Sequence, residues 1–155
     1  MGIKHCGKST QGKILAKKFD SPFFDTDDTI TALTGKTARQ IYAEEGEEAF
    51  KLAEKNACRH IAEQLNTLAK PGVIATGGGI CNNVDAILEL KQIGTFVFLN
   101  SQEKTAADRI IKEASLNEDG KPVNIPAYIA KKNPRSIQEV RTFFHEFFEE
   151  RVRMY

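Results

Sequence analysis

Residues 2–10 of the chain read GIKHCGKST. This stretch matches the pattern G-x-x-x-x-G-K-S/T, in which the backbone amides of a glycine-rich loop surround phosphate groups and the next helix presents its positive end to them. In such loops the lysine, here Lys8, reaches the β- and γ-phosphates and stabilises the group in transfer, and the hydroxyl of Ser9 binds magnesium. The residues that we expect to bind the nucleotide in this loop are Gly2, Gly7, Lys8, Ser9 and Thr10. The motif predicts ATP as co-substrate and Mg²⁺ as cofactor; the alternative is an ordinary glycine-rich turn.

The composition is that of a single globular domain. Of the 155 residues, 41% are hydrophobic and 28% are charged, which provides a core without the bias of a disordered chain. Basic and acidic residues nearly cancel to a net charge of +1, so no overall field attracts nucleic acid or an anionic membrane. Apolar runs stay well short of the roughly 20 residues that cross a bilayer, and the N-terminus has no signal pattern. We therefore expect a cytoplasmic monomer that binds neither nucleic acid nor membrane.

Short apolar runs alternate with amphipathic segments along the chain. Residues 23–24, 73–76 and 95–99 are short and apolar, which predicts buried strands. Apolar residues recur at helical spacing at 11–19, from 29 onward, and at 38–42, 47–68, 84–90 and 137–155. The alternation of strand and helix predicts an α/β fold in which helices cover both faces of a parallel sheet.

Two features depart from this alternation. Residues 113–134 are polar and contain three prolines, which predicts an exposed excursion that could serve as a lid. Only Met1 precedes the phosphate-binding loop, although such a loop follows a buried strand, and the last helix reaches Tyr155 without a further strand. We therefore expect one domain over residues 1–155 from which flanking strands are missing at both ends.

Three aspartates follow the first predicted strand, at positions 25, 27 and 28. Asp25 and Asp27 are two residues apart, so on an extended segment their side chains point the same way at the carboxyl end of the strand. One carboxylate there can hold a magnesium-bound water while the other accepts the proton of an attacking hydroxyl. The alternative is a helix cap, and we assign that role to Asp28 because the next helical segment begins near Thr29.

Three glycines, at 77–79, follow the second predicted strand. Glycine lets a substrate approach the backbone closely and exposes amides to an anion. The alternative is a flexible turn.

Together these motifs resemble the shikimate kinase family in their order and approximate spacing. The resemblance rests on the phosphate-binding loop, FFDTD at 23–27, TGKT at 34–37, GEEAF at 46–50 and ATGGG at 75–79. It covers residues 2–99 well and thins from Arg109 onward. It implies a three-layer P-loop kinase domain that transfers the γ-phosphoryl group of ATP to a hydroxyl of shikimate, a precursor of the aromatic amino acids.

The resemblance also implies roles for single residues. Asp25 corresponds to the carboxylate that assists magnesium, and Asp27 to the carboxylate that binds acceptor hydroxyls and acts as general base. The other correspondences are Gly78 and Gly79 with backbone positions that contact shikimate, Arg151 with the arginine that holds its carboxylate, and Arg109 with an arginine on the nucleotide side.

Two departures from the family pattern concern the substrate. Lys51 stands where the family usually has an arginine, and lysine lacks the two parallel hydrogen bonds with which arginine grips a carboxylate. Glu54, one turn on, could orient Lys51; the alternative is a solvated lysine. The family's R-P-L-L lid motif is absent, and Lys121 in Gly120–Asn124 is either its replacement or a surface lysine.

These departures leave two alternative functions open. A kinase for another small hydroxy acid or polyol would keep the chemistry and change the acceptor. A nucleotide-binding module without catalysis would bind ATP with no acceptor-dependent hydrolysis.

Overall fold

A computed structural model describes residues 1–153 of the chain. They form two compact units, one comprising residues 1–2 and 7–99 and the other residues 3–6 and those from Asn100 onward. None of the described helices is both long and apolar enough to cross a membrane.

The first unit contains five helices and a short parallel sheet among its described residues. Its elements are α1 (Lys8–Lys18), β1 (Phe23–Asp25), α2 (Thr26–Thr34), α3 (Ala38–Glu44), α4 (Glu47–Leu68), β2 (Val73–Ala75), a 3₁₀ turn (Ile80–Asn82) and α5 (Val84–Lys91). Strands β1 and β2 pair in parallel, with Phe23 opposite Val73 and Asp25 opposite Ala75. Both of these predicted strands and their parallel orientation are therefore confirmed.

Local sequence signals explain where these elements begin and how closely they pack. Thr37 and Gln40 form a reciprocal capping box at the start of α3. Helix α4 has the predicted bounds, and Ala57 and Ile61 in its apolar stripe are fully buried. In α1, a Cβ atom at Gly12 would lie 2.6 Å from Cε2 of Phe23, so only glycine lets the helix after the phosphate-binding loop pack this closely on β1.

The predicted strand at 95–99 is not formed as a strand. The Met1 amino group donates to Val97 O at 2.7 Å, and Leu99 N donates to Met1 O at 2.9 Å, which is the hydrogen-bond pattern of parallel pairing at one residue. Val97 is 64% exposed, so the segment is not buried as its apolar sequence predicts. A strand requires hydrogen-bonded pairing over several consecutive residues, and among the described residues Met1 pairs with this segment at one position only.

The second unit contains two long helices, of which the sequence predicts one. Its elements are α6 (Glu103–Glu113), β3 (Ser115–Leu116), β4 (Pro122–Val123), α7 (Ala127–Ala130) and α8 (Ile137–Val152), with β3 and β4 antiparallel. Helix α8 was predicted and α6 was not. The core of this unit contains Ile3, Ala106, Ala107, Ile110, Ile125, Ile129, Val140 and Phe144.

The predicted excursion at 113–134 is exposed only in part. The turn of the β3–β4 hairpin, residues 117–121, is exposed, but Ile125 is 3% exposed and Ile129 is fully buried. These two apolar side chains, set between prolines in a polar stretch, anchor the second half of the segment in the core of its unit.

Candidate active site

The phosphate-binding loop leads directly into α1. Gly7 adopts a left-handed conformation (φ 96°) at the helix N-cap and has no side chain to occupy the first turn. Ser9 and Thr10 lie exposed in that turn. The Lys8 ammonium donates to the carbonyl oxygen of Gly2 at 2.9 Å, so it folds back over its own loop. This end of α1 has the form that an anion-binding helix start requires.

Residues 3–6 of the same loop belong to the second unit. Ile3 is buried in the core of that unit, and His5 has a left-handed backbone conformation with φ 65°. Arg109 on α6 donates from Nη1 to the carbonyl oxygen of His5 at 2.6 Å. The predicted nucleotide-side arginine is thus in contact with the backbone of the phosphate-binding loop.

Ser9 and Asp25, the two predicted magnesium ligands, are in direct contact. The Ser9 hydroxyl donates to Asp25 Oδ2 at 2.6 Å. Hydroxyl and carboxylate oxygens are the ligand type that Mg²⁺ prefers, so the pair fits the implied ion.

The geometry at the following aspartates differs from the sequence prediction. Helix α2 begins at Thr26 rather than near Thr29, and its cap is Asp25, whose Oδ1 accepts from Asp27 N at 3.1 Å. Asp28 is therefore not the cap, and Asp27 lies in the first helical turn instead of on an extended segment. The cause is local, since an aspartate at the end of a strand readily accepts from the amide two residues on.

The glycine loop after β2 lies beside Asp27. Gly77 N donates to Thr26 Oγ1 at 2.9 Å. A Cβ atom at Gly77 would stand 3.0 Å from Glu54 Oε1 and 3.3 Å from Asp27 Oδ1, so both carboxyl groups face the Gly77 α-carbon. At Gly79 a Cβ atom would meet nothing within 4 Å, which leaves that part of the loop open.

Glu54 is a fully buried carboxyl group in this cluster. Its Oε2 accepts from Asn83 Nδ2 at 3.0 Å. Burial raises the pKa of Glu54 to about 7; the hydrogen bond from Asn83 opposes this rise, and the charge of Asp27 adds to it. Sequence reasoning named Glu54 only as a partner for Lys51 and missed Gly77 and Asn83. Gly77 belongs to the quoted glycine run, whereas nothing in the sequence marks Asn83.

Lys51 does not pair with Glu54. Its ammonium lies 3.1 Å from Glu47 Oε1 and 3.3 Å from Glu48 Oε1, in the first turn of α4. These two acids raise the pKa of Lys51. Its predicted role in binding the substrate carboxylate stays a prediction.

The remaining predicted residues lie in the second unit. Arg151 is 9% exposed, with its guanidinium 4.9 Å from the ring centre of Phe147, which also stacks on Tyr128. Lys121 lies in the exposed turn between β3 and β4, where its backbone N–H donates to Asn117 Oδ1 at 2.8 Å. Tyr155, the last residue of the helical segment predicted at 137–155, lies outside the described residues. The roles of both cations stay predictions.

Comparisons with known proteins match most of the chain. The sequence profile of a family described as shikimate kinase matches residues 4–150. The chain belongs to the shikimate kinase family. The resemblance inferred from the motifs is therefore confirmed.

Individual shikimate kinases align over most of this chain. The shikimate kinase of Bacillus cytotoxicus is 33% identical over 146 residues, which cover 94% of this chain and 81% of the relative. That of Desulforudis audaxviator is 34% identical over 115 residues, which cover 74% of this chain but only 58% of the relative's length.

Solved structures agree in fold. The shikimate kinase of Bacteroides thetaiotaomicron matches with a TM-score of 0.77 and 26% identity, covering 100% of this chain and 78% of that chain. The structure of the Acinetobacter baumannii shikimate kinase in complex with shikimate matches with a TM-score of 0.69 and 26% identity, covering 96% of this chain and 75% of that chain. The predicted P-loop α/β fold is confirmed, and the family is one of ATP-dependent kinases.

Proposed function

We propose that this chain transfers the γ-phosphoryl group of ATP to a hydroxyl of shikimate. The observation that supports this most directly is the hydrogen bond from Ser9 to Asp25, with Asp27 and the glycine loop beside it. It joins the start of the phosphate-binding helix to the carboxylate that the family resemblance assigns to magnesium, two residues before Asp27, which the resemblance assigns to the acceptor. Family membership and the shikimate complex of a structural relative support the same acceptor.

The proposed reaction assigns a separate task to each of these residues. The Lys8 ammonium neutralises charge on the β- and γ-phosphates, and Ser9 with Asp25 would hold Mg²⁺. When bound, the ion neutralises charge on the phosphate oxygens. Asp27 accepts the proton of the acceptor hydroxyl, whose oxygen bonds to the γ-phosphorus as the bridge to the β-phosphate breaks and ADP leaves. Gly78 and Gly79 present backbone to the acceptor, and Arg109 contacts the nucleotide. The candidate cations are Arg151 and Lys51 for the acceptor and Lys121 for the lid.

The charge balance supports a proposed setting for this activity. With a net charge of +1, the chain has no field for nucleic acid or anionic lipid. We propose that it acts as a cytoplasmic monomer, as one kinase domain, on ATP and a small hydroxylated acid.

The first experiment measures ADP release with shikimate as acceptor, in the wild type and in Asp27→Asn. The substitution should lower kcat by about two to four orders of magnitude, because it removes the general base, and should leave ATP affinity nearly unchanged. Asp28→Asn is the matched control, since Asp28 lies in the same exposed helical turn. Unchanged turnover in Asp27→Asn would reject Asp27 as base, and ATP binding without any acceptor-dependent ADP release would favour the non-catalytic module.

A second acceptor class is favoured by one observation, the pairing of Lys51 with Glu47 and Glu48. A lysine held by two acids is a weaker grip for a carboxylate than a free arginine. Turnover on a panel of hydroxy acids and polyols decides between the acceptors. A higher kcat/KM for a polyol without a carboxylate than for shikimate would move the assignment to that class.

A further inference from the structure

The buried side chain of Asn83 forms hydrogen bonds with three groups. Its Nδ2 donates to the carbonyl oxygen of Lys51 at 2.8 Å and to Glu54 Oε2 at 3.0 Å. Its Oδ1 accepts from Ala86 N at 3.3 Å and so caps α5. Asn83 is 5% exposed. The side chain therefore ties the segment that follows the glycine loop to the turn of α4 that contains Lys51 and Glu54.

The other carboxyl oxygen of Glu54, Oε1, lies beside the proposed acceptor site. Oε1 is buried and has no hydrogen-bond partner among the described residues. It packs toward the α-carbon of Gly77, where Asp27 Oδ1 also approaches. A Cβ atom at Gly77 would lie only 3.0 Å from Oε1, so the Glu54 carboxyl lies close against the Gly77 backbone and limits where that backbone can lie. Gly78 and Gly79 follow directly, so their positions depend on how Glu54 is held.

A buried carboxyl with one unsatisfied oxygen is costly for a role in stability alone. Hydrogen bonding a buried polar atom is the rule, and an unpaired one lowers the free energy of unfolding. Of the donors in the described part of the chain, Asn83 is the one that bonds the Glu54 carboxyl. The arrangement links the proposed base, the glycine loop and the predicted carboxylate-binding lysine. At the start of α1, by contrast, Lys8 bonds the carbonyl oxygen of Gly2 and Ser9 bonds Asp25.

We propose that Asn83 and Glu54 are positioning residues for the phosphoryl acceptor: Asn83 holds the Glu54 carboxyl against Gly77, and this sets the spacing between the glycine loop and Asp27. The inference rests on the proposed function. It concerns the acceptor only, so the affinity for ATP should not depend on this pair.

The test uses Asn83→Asp, which keeps the acceptor that caps α5 and replaces the two donated hydrogen bonds by an oxygen facing Glu54. Asn82→Asp is the matched control, because it makes the same charge change at the neighbouring exposed residue. KM for shikimate, KM for ATP and kcat are measured for each variant. Asn83→Asp should raise KM for shikimate about ten-fold or more and leave KM for ATP within about two-fold, since each lost hydrogen bond is worth roughly a factor of three to ten.

A double variant separates positioning from general damage. In Asn83→Asp combined with Glu54→Gln, the amide and the carboxylate exchange places, so the hydrogen bond can form again in the reverse direction. Recovery of at least about half of the loss, on a logarithmic scale, is expected from a true pair. An equal rise of both KM values, or no recovery in a folded double variant, would overturn the inference.

The outcomes also distinguish this inference from the function on which it rests. Absence of shikimate-dependent turnover in the wild type would reject the proposed function, and the positioning role with it. Normal wild-type turnover together with wild-type constants in Asn83→Asp would reject the positioning role alone.

Discussion

Replacing Glu54 by glutamine should remove a pH dependence of folding stability that the structure assigns to this side chain. Burial raises the pKa of Glu54 from 4.5 to about 7 in the folded protein. Each tenfold change in an acid constant corresponds to about 1.4 kcal/mol, so the folded state favours the protonated carboxyl by roughly 3 kcal/mol. Glutamine keeps the shape and the acceptor for Asn83 but does not titrate.

The sign of the effect follows from which state holds the proton. Below the unfolded pKa of 4.5, Glu54 is protonated in both states, and its contribution to stability is fully present. As pH rises toward the folded pKa of about 7, the unfolded chain releases the proton while the folded chain still binds it, so stability falls. The contribution is lost once pH exceeds the folded pKa.

The groups around Glu54 do not cancel this dependence. Asp27 faces it from α2 and raises its pKa further. Cys58, one turn along α4, has a pKa raised to about 12 and stays neutral over the range. On α5, Asp85 accepts from Lys55 and Glu89 accepts from Arg59, so each of these acids is paired with a cation.

The measurement is urea unfolding at pH 5 and pH 8, followed by circular dichroism. The wild type should lose about 2 to 3 kcal/mol of unfolding free energy relative to Glu54→Gln over this interval. Glu63→Gln, an exposed substitution on the same helix, is the control and should follow the wild type. If the difference between the wild type and Glu54→Gln is the same at both pH values, the carboxyl is not buried as described.

Two further substitutions test the packing that places the site. Gly12→Ala should lower the free energy of unfolding by about 1 to 3 kcal/mol, because its Cβ atom would lie 2.6 Å from Phe23; Gly94→Ala, which meets nothing within 4 Å, should have little effect in the same urea titration. Thr26→Val should cost about 1 to 3 kcal/mol by leaving the buried amide of Gly77 without its acceptor, and thermal unfolding against Thr31→Val, at an exposed position of α2, checks this.

The sequence predicts those parts of the fold that depend on neighbours along the chain. Helix α4 was predicted with its exact bounds because its apolar stripe repeats over 22 residues. The strands β1 and β2 were predicted from short apolar runs that end in Asp25 and in the glycine run. Ser9 was assigned to magnesium from the phosphate-binding motif and Asp25 from the family resemblance, and the structure places them in contact.

The parts that were missed depend on partners distant in sequence or on competition within a turn. Residues 95–99 are apolar enough for a strand, yet pairing, which composition does not reveal, decides whether one forms. Helix α2 starts earlier than predicted because Asp25 caps it, and an aspartate at a strand end can be read either as a ligand or as a cap. The buried half of residues 113–134 was missed because two isoleucines outweigh the polar residues around them.

Lys51 and Glu54, one turn apart on α4, show how burial decides which side chains pair. Spacing alone favours a pair between Lys51 and Glu54, since three residues along a helix bring side chains together. Lys51 instead bonds Glu47 and Glu48, where its ammonium stays partly hydrated, because drawing it down to a fully buried carboxyl would cost its hydration. Burying a neutral amide loses no charge hydration, and the amide of Asn83 is bonded to Glu54. With a neutral amide in place of a cation beside it, Glu54 is less favoured as an anion, and the neighbouring charge of Asp27 adds to this effect.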